Sequence, residues 1–360
     1  MAGRPLFRRY PLGLQTTYSE LKQRAFEQRA LLLGTLGSVS ERVESGRRYL
    51  FRQFYDAESK KAAEYIGPSD DAASAARADE IRARIDDAGA LAKETQLLTR
   101  VGYVDVDART QAVLVVLTNA GVFRGGALLI GSQAYGAILN DLGVGVATFA
   151  TEDVDIARPA RLAVAGDVPS FEALLQQSRV PLSAIPGFDP REPSTSFSIP
   201  PRMAGKRRLR VDLIAPAPKS GAALVAVPEL KAHAVSLPHL RYLLEDPVET
   251  VVLGKASVIP VRVPRPERLA WHKMLVSQLR SATSDKRAKD ISQAAVLIAV
   301  LAEDAPDTLV AAWAKLPKGS RAEAKGATPM LRAVLAAGGH ERALGLLEDA
   351  VAGRDRGFET

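Results

Sequence analysis

The spacing of apolar residues separates an N-terminal region, residues 1–100, from the rest of the chain. Apolar side chains recur at helical spacing over 21–36 and over 70–98, which predicts two helices. Residues 47–55 alternate between polar and apolar side chains, and 60–66 are able to return as a second strand after a short turn. We therefore expect helices and one β-hairpin in this region.

A middle region, residues 101–265, mixes short strands with short helices. Residues 111–117 are apolar enough for a helix, and Asp107 stands where a capping side chain belongs. Further predicted elements are strands at 127–130, 154–157 and 209–214, helices at 133–142 and 171–178 (the latter capped by Ser170), and a loop at 186–201.

The C-terminal region, residues 266–360, is rich in alanine and leucine at helical spacing. It predicts helices at 266–279, 285–302 and 306–314, and two more before residue 352. The chain as a whole is therefore predicted to be α+β, with a C-terminal helical domain. No internal repeat is visible.

Composition narrows the function classes. The chain has 360 residues, 47% of them hydrophobic and 25% charged, and no apolar run approaches the roughly 20 residues of a membrane span, so we expect a cytoplasmic protein without membrane contact. The absence of cysteine excludes disulfides and thiolate metal sites, and the four histidines do not cluster as zinc ligands. A net charge of +7 either favours a polyanionic partner or serves solubility. Oligomeric state is not readable.

A glycine–serine pair, Gly131-Ser132, ends the predicted strand at 127–130 and precedes a predicted helix. Glycine lets the backbone pass close to a ligand because it has no Cβ. Ser132 would begin the helix, where free backbone N–H groups bind anions and the serine hydroxyl adds a donor to a terminal phosphate. The pair is therefore a phosphate-binding turn or, in the simpler interpretation, a helix cap.

Two aspartates, Asp153 and Asp155, alternate with apolar residues in the following strand. Residues two apart in a strand point to the same face, so their carboxylates lie side by side. Like charges this close raise each other's pKa, and a cation between them relieves the repulsion. Mg²⁺ (or Mn²⁺) fits oxygen ligands best. The alternative is a solvated strand face at the edge of a sheet.

A third aspartate, Asp212, stands among apolar residues of the strand predicted at 209–214. If that strand lies beside the Asp153/Asp155 strand, three carboxylates converge. Such a triad is able to hold two metals about 4 Å apart, one activating a hydroxyl and one holding a triphosphate. Attack on the α-phosphate then displaces pyrophosphate. We predict catalytic and metal-binding roles for all three aspartates.

The order of these motifs resembles the DNA-polymerase-β nucleotidyltransferase superfamily. The interval from Ser132 to Asp153 is longer than in that pattern, so 140–150 is expected to form a loop or an added turn. Further downstream, the chain resembles a bacterial nucleotidyltransferase-fold family that is distantly similar to abortive-infection toxin nucleotidyltransferases; the similarity covers about 45–305. It is carried by YIGP at 65–68, LLEDP at 243–247, VRVP at 261–264, PERLAWHK at 266–273, Arg280 and KRAKD at 286–290.

This resemblance implies a polymerase-β-type core, a short mixed sheet flanked by helices, and two nucleotide-binding residues. By position, Lys273 matches a helical lysine that contacts the triphosphate, and Asp290 matches an aspartate that supports the site. From the residues alone, Lys273 is equally well a surface cation, and Asp290 is able to pair with Lys286 one turn earlier. A toxin role is implied by the resemblance only.

The predicted hairpin interleaves cations with aromatic residues. Basic and aromatic side chains together hold a nucleic-acid backbone and stack on its bases. Strand alternation produces the same pattern in a half-buried hairpin with its aromatics inward and its cations in water, and we favour that interpretation. The residues concerned are Arg47, Arg48, Tyr49, Phe51, Arg52, Phe54, Tyr55, Lys60, Lys61 and Tyr65.

Three functions follow as hypotheses. The first is metal-dependent transfer of a nucleoside monophosphate from an NTP to a hydroxyl of RNA, protein or a small molecule. The second is a nucleotide- or RNA-binding module on the same fold, without turnover. The third is a sugar-nucleotide transferase, which also uses an Asp-x-Asp motif; Gly131-Ser132 and Asp212 argue against it.

Overall fold

The computed structural model describes residues 4–147, 153–166, 168–187, 189, 192–203, 208–281 and 283–353. Over these residues the chain is an α+β protein that ends in a helical region, as the sequence predicts. No helix in these ranges has the length and apolarity needed to cross a bilayer.

The described part of the N-terminal region contains two strands that were not predicted, the two-residue β1 and the longer β2. Its three-stranded antiparallel sheet has the order β2-β3-β4, and the predicted hairpin is β3 with β4. Strand β2 carries mostly exposed polar residues, so its sequence lacks the alternation of apolar and polar residues that indicates a strand with one buried face. The elements are β1 (Arg8–Arg9), α1 (Leu12–Glu27), β2 (Ser38–Glu44), β3 (Arg47–Tyr55), β4 (Lys61–Pro68) and α2 (Ala72–Arg100).

The predicted helix at 21–36 was wrong at both ends, because α1 begins at Leu12 and ends at Glu27. Beyond it, residues 28–37 form bends without regular structure, and Leu31 and Leu32 are buried from that segment. Gly34 forces this course, because it has a φ of +73° and a Cβ there would collide with the Tyr55 carbonyl. Apolar spacing alone does not distinguish such a segment from a helix.

The middle region confirms most predicted elements and both predicted caps. The Asp107 carboxylate accepts hydrogen bonds from the backbone N–H groups of Arg109 and Thr110, and the Ser170 hydroxyl accepts one from Ala173. The elements are β5 (Asp105–Val106), α3 (Ala108–Asn119), β6 (Leu128–Ile130), α4 (Gly131–Asp141), β7 (Val144–Gly145), β8 (Asp153–Ala157), α5 (Phe171–Gln177), β9 (Ser183–Ala184), β10 (Ser196–Ser198), β11 (Arg210–Pro216), β12 (Leu224–Val227), a 3₁₀ turn (Pro228–Leu230), β13 (Ala232–Leu237), α6 (Leu240–Leu244), β14 (Val248–Gly254) and β15 (Val258–Val263).

Two predictions about connecting segments have different outcomes. The loop at 186–201 was wrong over Ser196–Ser198, which forms β10 because its backbone pairs with β11 and buries Phe197. Of the interval 140–150, the structure shows the end of α4, a turn and β7, while 148–150 lie outside the described residues, as do Thr151 and Glu152.

A mixed sheet of seven strands forms the centre of the described molecule, and its strand β11 pairs with three others. Strand β11 pairs in parallel with β8 on one edge. On its other edge it pairs antiparallel with β10 and then, further along, in parallel with β13. β8 in turn pairs antiparallel with β6. Val154, Ile156, Val211 and Leu213 alternate with the polar positions of β8 and β11 and are fully buried. The opposite face of these two strands carries the aspartates.

The C-terminal helices share one hydrophobic core with this sheet and also pack on one another. Trp271 and Trp313 have ring centroids 4.8 Å apart, and Trp271 Nε1 donates to the Leu309 carbonyl at 2.8 Å. Beyond residue 316 the structure has three helices where two were predicted. The helices are α7 (Pro266–Gln278), α8 (Asp285–Asp304), α9 (Pro306–Lys315), α10 (Lys318–Lys325), α11 (Thr328–Ala337) and α12 (Glu341–Ala352). The domain boundaries proposed from the sequence stay a prediction.

Candidate active site

Gly131 forms the turn from β6 into α4, at the position predicted from the sequence. Its φ of +70° lies in the left-handed region, which glycine adopts readily. A Cβ at Gly131 would also collide with Oδ2 of Asp155. The glycine therefore lets the carboxylate of Asp155 reach the beginning of α4, where Ser132 is the second helical residue.

The three predicted aspartates lie on two neighbouring strands. Asp155 and Asp212 are register partners in the parallel β8–β11 ladder, and Asp153 is the partner of Arg210. Because strand alternation puts residues two apart on one face, all three carboxylates are on the same side of the sheet. β8 has neighbours on both edges, so the alternative of an edge strand with a solvated face does not hold.

Basic and hydroxyl groups surround these carboxylates. Asp212 Oδ1 accepts hydrogen bonds from the Ser196 hydroxyl and from Arg210 Nε, the latter at 2.9 Å. Lys286 Nζ lies 3.6 Å from Asp153 Oδ2. Burial, followed by the charges of Asp212 and Asp153, raises the pKa of Asp155 to about 6.

The arrangement suits a divalent cation in its chemistry. All three candidate ligands are carboxylates, and hard cations such as Mg²⁺ prefer oxygen. The close approach of Asp155 to Gly131, together with its raised pKa, marks a place where positive charge is favourable. Among the described residues, no three or more acidic or histidine side chains are already arranged closely enough to hold a metal ion. Arg210 and Lys286 instead lie beside Asp212 and Asp153 and partly neutralise the charge of these two carboxylates.

Lys273 and Asp290 form a buried ion pair across α7 and α8. Lys273 Nζ donates to Asp290 Oδ1 at 2.8 Å, and Arg280 Nε donates to Asp290 Oδ2 at 2.6 Å. Only 9% of the Lys273 side chain and 4% of the Asp290 side chain are exposed. The alternatives of a surface lysine and of an Asp290–Lys286 pair are therefore wrong. Lys286 instead reaches Asp153.

All seven candidate residues line one cavity of about 300 Å³ between the sheet and the C-terminal helices. Its charged wall also contains basic residues that the sequence analysis did not assign: Arg210, Arg280, Lys286 and Lys289. Its apolar wall is formed by Ile214, Leu237, Leu240, Leu243, Leu269 and Val276. His272 completes it, and burial together with the charge of Lys273 lowers the pKa of that imidazole to about 3, so it is neutral.

Comparison with known families decides the affiliation of the chain. A family model described as nucleotidyltransferase matches residues 108–317, more than half of the sequence. The chain belongs to this nucleotidyltransferase family. Comparisons with curated proteins and with solved structures gave no match.

The matched segment of this nucleotidyltransferase contains every candidate residue from Gly131 to Asp290, whereas the N-terminal sheet lies outside it. Membership makes the protein a transferase with an NTP as substrate in general terms. It gives those residues no individual roles.

Some of the polar residues that the sequence analysis left without a role had a readable signal. Lys286, Lys289 and Asp290 are spaced three and four apart, which places them on one face of a helix. Arg210 had a signal as well, because it stands two residues before Asp212 in the strand predicted at 209–214 and so shares its face. Ser196 had none, because its closeness to Asp212 depends on the pairing of β10 with β11.

Proposed function

We propose that this nucleotidyltransferase is of the polymerase-β type and transfers a nucleoside monophosphate from an NTP to a hydroxyl, with release of pyrophosphate. The observation that carries the proposal is the register of Asp155 with Asp212 on adjacent parallel strands, on the face next to the Gly131 turn. Relationship to bacterial abortive-infection toxins, and action in the cytoplasm, belong to the same proposal.

Asp153, Asp155 and Asp212 would hold Mg²⁺ or Mn²⁺. When bound there, divalent cations would supply charge neutralisation at the triphosphate and lower the pKa of the acceptor hydroxyl. Within the chain, Arg210 and Lys286 keep Asp212 and Asp153 paired in the absence of such cations. These pairs involve half-exposed or exposed basic side chains, which are free to swing toward a phosphate when the carboxylates acquire other partners.

The triphosphate would lie along the charged wall. The N-terminus of α4 presents backbone N–H groups next to Ser132, a favourable place for a phosphate. On the opposite wall, Asp290 holds Lys273 and Arg280 in fixed positions. One carboxylate between two cations leaves one net positive charge there, and Lys286 and Lys289 add two more along the cavity. Fixed charges of this kind stabilise developing charge without reorganisation.

The apolar wall is suited to the nucleoside. Leucines from β13, α6 and α7 line it, and the neutral His272 adds a flat ring without charge. Such a surface excludes water from the cavity and accommodates a base by contact area. The proposal therefore assigns the phosphates to the sheet-and-lysine side, and the base to the leucine side.

The test is incorporation of label from each α-³²P NTP, with Mg²⁺ or Mn²⁺, into total RNA, protein and small molecules. We expect a labelled product that disappears with EDTA. Asp153→Asn and Asp212→Asn should each lower the rate at least about 100-fold, a typical effect of losing one electrostatic contact to the transition state. Asp87→Asn, at an exposed position of α2, is the matched control. Full activity of Asp153→Asn would exclude the metal assignment.

The second candidate is a nucleotide-binding module without turnover. The internal pairing of Asp153 and Asp212 with basic side chains favours it, because paired carboxylates are stable without metal. In that case NTP binding should persist in EDTA and be unchanged by Asp153→Asn, and no pyrophosphate should form with any NTP.

A further inference from the structure

The N-terminal sheet has an inner face and an outer face with different chemistry. Arg52 and Phe54 of β3 are buried, whereas alternate residues of the same strand, Tyr49 and Phe51, lie on the other side with Tyr65 of β4. The ring centroid of Tyr65 is 5.9 Å from that of Tyr49 and 5.5 Å from that of Phe51. Tyr65 is 57% exposed. Three aromatic rings thus form an outward cluster, which we call the aromatic face.

The inner face explains why these rings point outward. Arg52 is only 1% exposed, and its guanidinium donates to the carbonyls of Leu33, Thr35 and Leu36 and lies 4.4 Å from the Phe54 ring. These contacts hold Arg52 and Phe54 inward, and a one-residue slip would invert every side chain of the strand. The interpretation with aromatics inward and cations in water is therefore confirmed for Phe54 and for the exposed Arg47, Arg48, Lys60 and Lys61. It is wrong for Arg52, which is buried, and for Tyr55 and Tyr65, which are exposed.

Cations border the aromatic face. The Arg42 guanidinium lies 5.3 Å from the Phe51 ring centroid, and Arg42 is the register partner of Tyr49. Lys61 is the partner of Tyr55 at the other end of the sheet. Both cations are exposed. Exposed rings with flanking positive charge are complementary to a strand of bases joined by phosphates.

Hydroxyl and amide groups stand beside the rings. Ser40 is the register partner of Phe51, and the Gln53 amide donates to the Ser40 hydroxyl. These groups are of the kind that exchange hydrogen bonds with a ribose 2′-hydroxyl, the group that distinguishes RNA from DNA. Duplex RNA keeps its bases stacked inside, so only a single strand offers bases to such rings.

We propose that the aromatic face binds single-stranded RNA, with bases stacked on Tyr49, Phe51 and Tyr65 and phosphates near Arg42 and Lys61. Binding itself does not depend on catalysis. The extension that this RNA carries the acceptor hydroxyl rests on the proposed function.

The test is fluorescence anisotropy of the full chain with a labelled 12-nucleotide single-stranded RNA, without NTP or metal. Tyr65→Ala should raise Kd by about 5- to 100-fold, the range for loss of one stacking ring. Tyr65→Phe should bind like the wild type, because the ring remains. Phe26→Ala removes an exposed aromatic of α1 and serves as the matched control. Arg42→Gln should weaken binding and lower the slope of log Kd against log salt by about one.

Three results would contradict binding of single-stranded RNA at the aromatic face. Unchanged RNA affinity in Tyr65→Ala and in a Tyr49→Ala/Tyr65→Ala variant, both folded by circular dichroism, overturns stacking. Equal affinity for the same sequence as single-stranded DNA overturns the RNA assignment, and stronger binding of an acidic peptide indicates a protein partner instead. Asp153→Asn is expected to lose nucleotidyl transfer and to bind RNA normally. RNA binding by a wild-type chain that transfers no nucleotide would refute the proposed function alone, and nucleotidyl transfer without RNA binding would refute only this inference.

Discussion

The ammonium of Lys273 and the carboxylate of Asp290 are 2.8 Å apart, and both side chains are almost completely buried. The pair joins α7 to α8 and fixes Lys273 at the wall of the cavity. A buried charge that has lost its partner destabilises the folded state much more than the intact buried pair does. The consequences of removing one partner are therefore large.

Asp290→Ala should lower the free energy of unfolding by about 3–5 kcal/mol, the usual effect of leaving a buried charge without its partner. Here Lys273 and Arg280 would face each other without the intervening carboxylate. Urea denaturation at pH 7 measures this change. The exposed Asp87→Ala on α2 should shift the midpoint little, and an equally small shift for Asp290→Ala would show that the pair is dispensable.

Gly131→Ala should abolish metal-dependent activity and destabilise the fold by about 1–3 kcal/mol, because the added Cβ meets both an unfavourable φ and the Asp155 carboxylate. Gly121→Ala is a closely matched control. Gly121 has a φ of +74°, but its Cβ would meet only Val164 at 4.0 Å. Thermal unfolding and the transfer assay together separate backbone strain from displacement of Asp155. Equal losses of activity in both variants would contradict the proposed contact.

Asp155→Asn should stabilise the metal-free protein at pH 7.5 by about 1–3 kcal/mol. The pKa of Asp155 is raised to about 6 in the folded state, so this carboxyl contributes stability below its unfolded pKa, and that contribution is lost as the pH rises through about 6. The advantage of the variant should therefore vanish near pH 4. Urea midpoints in EDTA across this range measure it. In millimolar Mg²⁺ the order should reverse, because only the wild type gains from the cation.

Arg210→Gln should tighten Mn²⁺ binding in the absence of nucleotide by about 3- to 10-fold, since it removes a cation 2.9 Å from Asp212. The enhancement of water-proton relaxation measures the protein-bound Mn²⁺. Lys219→Gln, at an exposed position outside the cavity, changes the net charge equally and is the control. Unaltered Mn²⁺ affinity in Arg210→Gln would mean that Asp212 is not a ligand.

Local features of the fold were predictable wherever the signal lies in adjacent residues. Asp107 before an apolar run and Ser170 before a short periodic segment both cap helices. The turn at Gly131 was predictable because glycine follows a short apolar run directly. In each case the interacting groups are within a few residues of one another, so their spacing reports the structure.

Features that depend on pairing between distant segments were not predictable. The register of Asp155 with Asp212 joins strands separated by more than fifty residues, and the sequence offered only the condition that they lie side by side. Likewise, alternation in β3 gave two faces without saying which is buried. Arg52 took the inner one because carbonyls of the preceding segment satisfy its guanidinium, a contact that no periodicity encodes.

Helix α8 begins with the cavity lysines and continues into a body packed against α9, α11 and α12. It also packs closely against α7, which carries Lys273, so one continuous helix joins the cavity lysines to the C-terminal helices. A small rigid rotation of that bundle would withdraw Lys286, Lys289 and Asp290 together from the aspartates of the sheet. The C-terminal helices thus influence the charges that line the cavity. Truncation of the chain before α11 should therefore weaken nucleotide binding, although α11 and α12 do not line the cavity.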